Sequence, residues 1–266
     1  YNQQQEESAD IFSMKTADLN RDNFTDIVYC GTKDLPGLFV SLANNENSFN
    51  VPTQCLGIPS AALAVDFINA DSLPDIVAST VDSIYVVLNS GQGTSCESWT
   101  VIVLPHANQI ARTMGELVGS AVPTIISGYF NEDDNLDFFV GPSSVFFGDG
   151  TGNFGSSSSI PFSANSAAAA DFNHDGHEDL LIVDIDSAYI LLNNGIGDFS
   201  RSASLFVDTA FISLPVDNAV ADLDGDCHTD FLVTIPNVDS SGKSVLHIGF
   251  GDGLGSLDMT DSLVIN

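Results

Sequence analysis

The chain has 266 residues, and its 36 acidic side chains outnumber its 6 basic ones, which gives a formal net charge of −30. This balance argues against nucleic acid and anionic membranes as partners, because Lys and Arg are the residues that bind phosphate groups. So much like charge destabilises a compact state unless it is neutralised, so we expect either adaptation to high salt or cation binding.

The first ten residues are polar and do not include an initiator Met, which predicts a mature, processed or trimmed chain. The sequence contains no run of about 20 apolar residues of the kind that crosses a bilayer, so we expect no membrane insertion.

A repeated unit organises the rest of the sequence. Each copy has an Asp-rich loop, two apolar runs and a turn rich in Gly or Asn, and the loops in chain order are 18–26, 66–75, 129–137, 171–179 and 222–230. The second loop has one extra residue before Asn69, and the third has Tyr129 where the first Asp should stand. The last residues of successive loops are 49, 62, 42 and 51 positions apart, a spacing typical of propeller blades of about 40–50 residues.

The apolar runs that follow the loops predict β-strands. Continuous runs such as Leu180–Val183 indicate strands that are covered on both faces. We therefore predict an all-β fold, a β-propeller of five four-stranded blades with the Asp-rich loops between strands 1 and 2, and five blades of a larger ring as the alternative. One domain, 1–266, is expected to hold repeats at approximately 11–57, 58–105, 120–163, 164–212 and 213–266. The segment His106–Gly119 is expected to be a short helix or an extended loop.

The loops carry oxygen-bearing side chains at positions 1, 3, 5 and 9. Calcium prefers about six to eight hard oxygen ligands, which alternate side chains and the carbonyl at position 7 would supply. Asn23 and Gly176 at position 6 suit a positive φ. The twelfth position is apolar, as at Ile182 and Val233, which excludes an EF-hand. The alternative is an Asx-turn loop that caps strands without a metal.

A loop of this kind that joins two strands and is followed by a Phe-Gly or Asn-Gly turn resembles the FG-GAP/VCBS repeat of integrin α-subunit headpieces and secreted propellers. Phe147-Gly148-Asp149-Gly150 and Phe250-Gly251-Asp252-Gly253 carry that signature, and the resemblance covers essentially the whole chain. Members of this family usually have seven blades, so five repeats leave the closure of the ring open.

The resemblance implies three to five Ca²⁺ ions. In each of the three complete loops it implies four side-chain ligands and one main-chain carbonyl, the carbonyls being those of Phe24, His177 and His228. The side chains are Asp18, Asn20, Asp22 and Asp26 in the first loop, Asp171, Asn173, Asp175 and Asp179 in the fourth, and Asp222, Asp224, Asp226 and Asp230 in the fifth. In the two degenerate loops the implied ligands are Asp66, Asn69, Asp71 and Asp75, and Asn131, Asp133 and Asp137.

Four cysteines without Cys-x-x-Cys spacing disfavour zinc and favour disulfides in an oxidising compartment. We predict a Cys30–Cys55 pair, because both residues are expected on the same face of the first blade. For Cys96 and Cys227 we expect one of three states: free thiols, a disulfide with each other across the face, or links between subunits. The single glycosylation sequon, Asn23-Phe-Thr25, lies inside a predicted metal loop.

No catalytic or phosphate-binding motif stands out, since the Gly-rich turns lead into strands and no Lys follows them. We therefore predict an extracellular, non-enzymatic module for adhesion, matrix or filament assembly, with a protein, a glycan or a second copy as partner. A propeller lectin is the alternative, although the chain has one Trp. A polysaccharide-active enzyme is the third hypothesis.

Overall fold

The computed structural model describes residues 10–33, 35–44, 48–58, 62–80, 82–91, 96–105, 124–141, 143–161, 164–184, 187–206, 217–235 and 244–265. These residues form five four-stranded antiparallel sheets, in each of which strands that are consecutive in the chain are neighbours. We call the sheets blades 1 to 5. The prediction of five four-stranded blades with an Asp-rich loop between strands 1 and 2 is confirmed.

The strands of blades 1 and 2 are β1 (Asp10–Ala17), β2 (Asp26–Lys33), β3 (Leu35–Ser41) and β4 (Thr53–Leu56), then β5 (Ala62–Asp66), β6 (Asp75–Ser79), β7 (Ser83–Leu88) and β8 (Thr100–Pro105). Those of blade 3 are β9 (Ile125–Gly128), β10 (Asp137–Val140), β11 (Ser144–Phe147) and β12 (Ser156–Ser159). A short 3₁₀ turn, Cys96–Ser98, precedes β8. The segment His106–Gly119 lies outside the described residues.

Blade 4 contains β13 (Ser166–Ala170), β14 (Asp179–Val183), β15 (Ser187–Asn193) and β16 (Phe199–Phe206). Blade 5 contains β17 (Asp217–Ala221), β18 (Asp230–Ile235), β19 (Ser244–Gly251) and β20 (Leu257–Ile265). The chain divides into two compact units, one of residues 1–109 with 150–153 and one of residues 110–149 with 154–266. Within the described residues, no helix has the length and apolar character that crossing a membrane requires.

The buried strand β14 shows why its sequence is continuously apolar. Leu181 and Val183 pack with Phe231 of blade 5 in one cluster. Leu180 and Ile182 pack in another cluster that includes residues of blade 3. Both faces of the strand are therefore covered, and each such side chain contributes about 1.5–3 kcal/mol relative to an exposed one.

A disulfide in the first unit joins Cys55 on β4 to Cys96 in the 3₁₀ turn, with Cα atoms 5.2 Å apart. The predicted Cys30–Cys55 pair is wrong. Cys30 lies on β2, and β3 separates it from β4, so the two backbones are about two strand spacings, or roughly 9–10 Å, apart. A disulfide needs Cα atoms within about 7 Å. Cys30 is a buried thiol in the core, and Cys227 is an exposed one.

Candidate metal sites

The five Asp-rich loops have the same length and the same frame. Each begins after the last residue of a blade's first strand, and its ninth position is the Asp that begins the second strand. The residues that pair across the loop are Ala17 with Asp26, Asp66 with Asp75, Gly128 with Asp137, Ala170 with Asp179 and Ala221 with Asp230. We number the loops 1 to 5 and their positions 1 to 9 on this basis.

The strand pairing corrects the predicted positions of loop 2. Asp66 is the last residue of β5 and pairs with Asp75, so Phe67, not Asp66, holds position 1. The extra residue expected before Asn69 does not exist, and loop 2 is residues 67–75. Loops 2 and 3 therefore share an aromatic residue at position 1, Phe67 and Tyr129, where the other three loops have Asp.

Position 9 is a buried carboxylate in every loop: Asp26, Asp75, Asp137, Asp179 and Asp230 are all 0% exposed. One oxygen accepts the backbone N–H of position 2, as from Phe172 to Asp179 at 3.0 Å. The other accepts a backbone N–H at the end of the blade's third strand, as from Asn193 to Asp179 at 2.8 Å. This side chain therefore ties the loop to its own blade, whether or not a cation is bound.

Burial has an electrostatic consequence at these positions. Loss of hydration raises the pKa of Asp75, of Asp137 and of Asp179 to about 6, against the lowering effect of their backbone hydrogen bonds. The same burial raises the pKa of Asp26. A negative charge at position 9 is thus costly in this environment, which favours a nearby cation.

In loops 1, 4 and 5 the Asp at position 1 accepts backbone N–H groups from its own loop. Asp18 accepts the N–H groups of Asp22 and Asn23 at 3.1 and 2.9 Å, and Asp171 accepts those of Asp175 and Gly176 at 3.3 and 3.0 Å. In loop 5, the carboxylate of Asp222 accepts the N–H groups of residues 225 and 227 at 2.7 and 3.0 Å.

The backbone of these three loops enters the left-handed region twice, at positions 4 and 6. The residues concerned are Arg21 and Asn23 in loop 1, His174 and Gly176 in loop 4, and Gly225 and Cys227 in loop 5. Four of these six residues are not Gly, and a positive φ is uncommon for such residues because Gly alone adopts it without steric cost. The positive φ expected at Asn23 and Gly176 is confirmed, with φ of 68° and 89°.

The donor set of these loops fits a hard divalent cation. Carboxylate oxygens of Asp222, Asp224 and Asp226 all lie within 4.8 Å of one another. Loops 1 and 4 place the amide oxygen of Asn20 or Asn173 at position 3, and that oxygen accepts the N–H of position 5 at 3.0 Å in both. Carboxylate, amide and main-chain carbonyl oxygens are the ligands that Ca²⁺ prefers.

Loops 2 and 3 bring together fewer of the predicted ligands. Asn69 and Asn131 at position 3 accept the N–H of Asp71 and Asp133 at 2.9 and 3.0 Å, as in the other loops. Their main chains differ, however, because Asn69 and Asn131 form isolated β-bridges with Thr151 and Ile196. Thr151 belongs to the first unit, with loop 2, and Ile196 to the second, with loop 3.

Two residues that sequence reasoning missed connect consecutive loops. The side-chain amide of Asn89 donates to the carbonyls of Leu19 and Pro74 at 2.7 and 3.2 Å. That of Asn193 donates to the carbonyls of Phe130 and Glu178 at 3.0 and 3.1 Å. Each carbonyl pair belongs to position 2 of one loop and position 8 of the next. The signal was present in the sequence, since each Asn follows its position-9 Asp by 14 residues.

Comparisons with known proteins agree with this geometry. A family model described as FG-GAP-like repeat matches residues 129–182 and 171–233, so that each match includes two of the loops. No curated protein matches the sequence.

Three solved structures share the fold at low sequence identity. A lectin from Agrocybe aegerita that recognises non-reducing terminal N-acetylglucosamine has a TM-score of 0.61 and 17% identity, over 96% of this chain and 65% of the lectin chain. The biofilm matrix protein Bap1 of V. cholerae has a TM-score of 0.58 and 18% identity, over 93% of this chain and 38% of Bap1. A protein from Lactobacillus plantarum has a TM-score of 0.57 and 11% identity, over 95% and 70%. The chain thus spans about two thirds of the lectin chain and less of Bap1.

Proposed function

We propose that this FG-GAP-repeat chain, whose four-stranded sheets are blades of the β-propeller fold, is an extracellular calcium-binding module that binds a partner and catalyses no reaction. The observation that carries the proposal is the convergence of Asp222, Asp224 and Asp226 in loop 5, in a frame that loops 1 and 4 repeat. Three carboxylates within 4.8 Å repel one another unless a cation lies between them.

Bound Ca²⁺ would supply positive charge and a fixed coordination shell. The residues that would hold it are the side chains at positions 1, 3 and 5, for example Asp171, Asn173 and Asp175, with Asp179 at position 9. The loop's own hydrogen bonds already orient these groups, since Asp175 accepts the N–H of His177 at 2.9 Å. Preorganised ligands bind more tightly because less ordering is left for the binding step.

The acidic balance of the chain supports the same proposal. A net charge of −30 opposes compaction, and divalent cations on the loops relieve part of that repulsion. The Cys55–Cys96 disulfide supports an oxidising, extracellular location. The proposed calcium sites account for the clustered carboxylates of the described loops, and this supports a non-enzymatic role.

A protein, a glycan or a second copy of the chain is the proposed partner, in adhesion, matrix or filament assembly. A lectin is the second candidate, because Phe67 and Tyr129 expose 57% and 53% of their surface on loops 2 and 3. Exposed aromatic faces pack well against apolar groups of a ligand. The similar structures include both a lectin and a matrix protein, but at their low identity they support the fold alone.

Thermal unfolding with and without calcium tests the binding proposal. Each site contributes about 2.7 kcal/mol when free Ca²⁺ is a hundredfold above Kd. With several sites, EGTA is expected to lower the Tm by about 10 °C or more relative to calcium-containing buffer. Equimolar Mg²⁺ is the control and should restore little of the loss, because it demands a stricter octahedral shell. An equal Tm in EGTA and in Ca²⁺ would contradict the proposal.

A glycan array in calcium-containing buffer separates the two candidate partners. With a protein or a second copy of the chain as the partner, the interaction-module proposal predicts no saturable binding to simple glycans. Saturable binding that is lost in Phe67→Ala and Tyr129→Ala, with the Tm unchanged, would favour the lectin.

A further inference from the structure

We infer that the five loops are of two kinds: loops 1, 4 and 5 each take one calcium ion, and loops 2 and 3 are closed without one. The inference rests on the proposed calcium binding and deepens it by assigning the ions to particular loops. It reduces the expected three to five ions to three.

The first difference lies in the ligands at position 1. Asp18, Asp171 and Asp222 place a carboxylate there, and that carboxylate also accepts the N–H of position 6. Phe67 has no side-chain oxygen, and the hydroxyl of Tyr129 stands at the far end of its ring. Each of these two loops therefore lacks one anionic ligand of a shell that needs about six to eight oxygens.

The second difference lies in the backbone. Loops 2 and 3 enter the left-handed region only at position 6, at Ser72 and Asp134, whereas the three Asp loops also enter it at position 4. Positions 4 and 5 of loops 2 and 3 form a turn instead, and position 3 is held in a β-bridge with Thr151 or Ile196. The main chain at positions 3 to 5 thus follows another path, although the side chains at positions 3 and 5 keep the same hydrogen bond in loop 3 as in loops 1 and 4.

The third difference is a cation that the protein supplies itself. Arg21, at position 4 of loop 1, donates from Nη2 to the main-chain carbonyl of Asp71 in loop 2 at 2.8 Å. It is one of 6 basic residues against 36 acidic ones in the chain. A guanidinium placed on loop 2 offsets the negative charge there and repels a second cation.

Loop 3 has a carboxylate of another loop nearby, and that group accepts a main-chain hydrogen bond at position 1. Glu178 of loop 4 accepts the N–H of Tyr129 at 2.7 Å. Among the described residues, the carboxylates of Asp222, Asp224 and Asp226 are the one group of three acidic, His or Cys ligands that comes within 4.8 Å. Glu178 is position 8 of loop 4, so it is not one of the nine positions of loop 3.

Position 5 offers a matched set of variants that tests the assignment. It is Asp in every loop, and its carboxylate accepts the N–H of position 7, which an Asn side chain can still accept; the five variants are Asp22→Asn, Asp71→Asn, Asp133→Asn, Asp175→Asn and Asp226→Asn. The bound calcium per chain is measured by equilibrium dialysis of the full chain against Ca²⁺ alone. Circular dichroism checks that each variant is folded.

We expect three ions per chain in the wild type, two in the variants of loops 1, 4 and 5, and three in Asp71→Asn and Asp133→Asn. Four or five ions in the wild type, or the loss of an ion in Asp71→Asn or Asp133→Asn, would overturn the inference and leave the proposed function standing. The absence of bound calcium in the wild type would overturn the proposed function and this inference with it. For any variant that does not fold, calcium-dependent protection of that loop's amides from hydrogen exchange in the wild type decides instead: protection in loop 2 or 3 overturns the inference.

Discussion

Loops 3 and 4 lie in neighbouring repeats, have the same nine positions and pair in the same register, yet only loop 4 begins with an Asp. Their ninth residues, Asp137 and Asp179, are equally buried and make equivalent pairs of backbone hydrogen bonds. Position 9 therefore serves the fold in both loops, whereas the proposed assignment makes cation binding depend on positions 1 and 4. One repeat can thus lose its proposed metal and keep its blade.

The largest effect is expected where the two loops are alike. Asp137→Ala and Asp179→Ala each leave two buried N–H donors without an acceptor, at about 1–3 kcal/mol per donor. We expect each variant to lose about 2–5 kcal/mol of unfolding free energy in calcium-free urea titrations. A loss confined to one of the two variants would show that the buried hydrogen bonds of position 9 do not stabilise both loops and would break the comparison.

The next effect separates the loops at position 1. In calcium at a hundredfold excess over Kd, Asp171→Ala is expected to lose about 2.7 kcal/mol, the contribution of one site. Tyr129→Ala should change stability by less than about 0.5 kcal/mol, because its side chain is half exposed. The calcium-dependent part of the stability, measured as the difference from EGTA, is the quantity to compare. Equal calcium-dependent losses in the two variants would contradict the division.

The pH dependence of the metal-free protein probes position 9 in the two aromatic loops. Burial raises the pKa of Asp75 and of Asp137 to about 6, so between about pH 4 and 6 the folded state binds more protons than the unfolded state. Stability should therefore fall as pH rises through this window, by on the order of 1 kcal/mol per group. The double variant Asp75→Asn/Asp137→Asn should lose this part of the dependence. An identical pH profile in variant and wild type would disprove the cause.

A further effect concerns the contacts between consecutive loops. Asn89→Ala and Asn193→Ala each remove two hydrogen bonds to loop carbonyls, which is expected to cost about 1–2 kcal/mol. The two variants should behave alike in calcium-free buffer, since the contact is the same in both units. Chemical unfolding in EGTA measures the effect, and a change below the error in both would show that these amides do not stabilise the loops.

The sequence predicted the blades because a recurring Asp-rich loop and continuous apolar runs are local signals. The register of loop 2 was wrong because Asp66 stands one residue before position 1 and imitates the missing ligand. Only the strand pairing of Asp66 with Asp75 shows that Phe67 holds that position.

Contacts between segments that are distant along the chain could not be predicted from the sequence. The Cys55–Cys96 bond depends on which strands separate two cysteines in a sheet, and the contact of Arg21 with Asp71 joins residues 50 positions apart. Spacing along the chain gives no measure of either distance. The sequence also did not predict the difference between loop types at position 4, because a positive φ such as that of Arg21 and His174 is uncommon for any residue other than Gly.

A crystal structure of the full chain grown in Ca²⁺, with anomalous scattering recorded to identify the ions, tests the central claim most directly. The account predicts one calcium peak in each of loops 1, 4 and 5, with oxygen ligands at about 2.3–2.6 Å. It predicts no peak in loops 2 and 3, where Phe67 and Tyr129 hold position 1. Empty Asp loops, or a calcium ion in either aromatic loop, would contradict it.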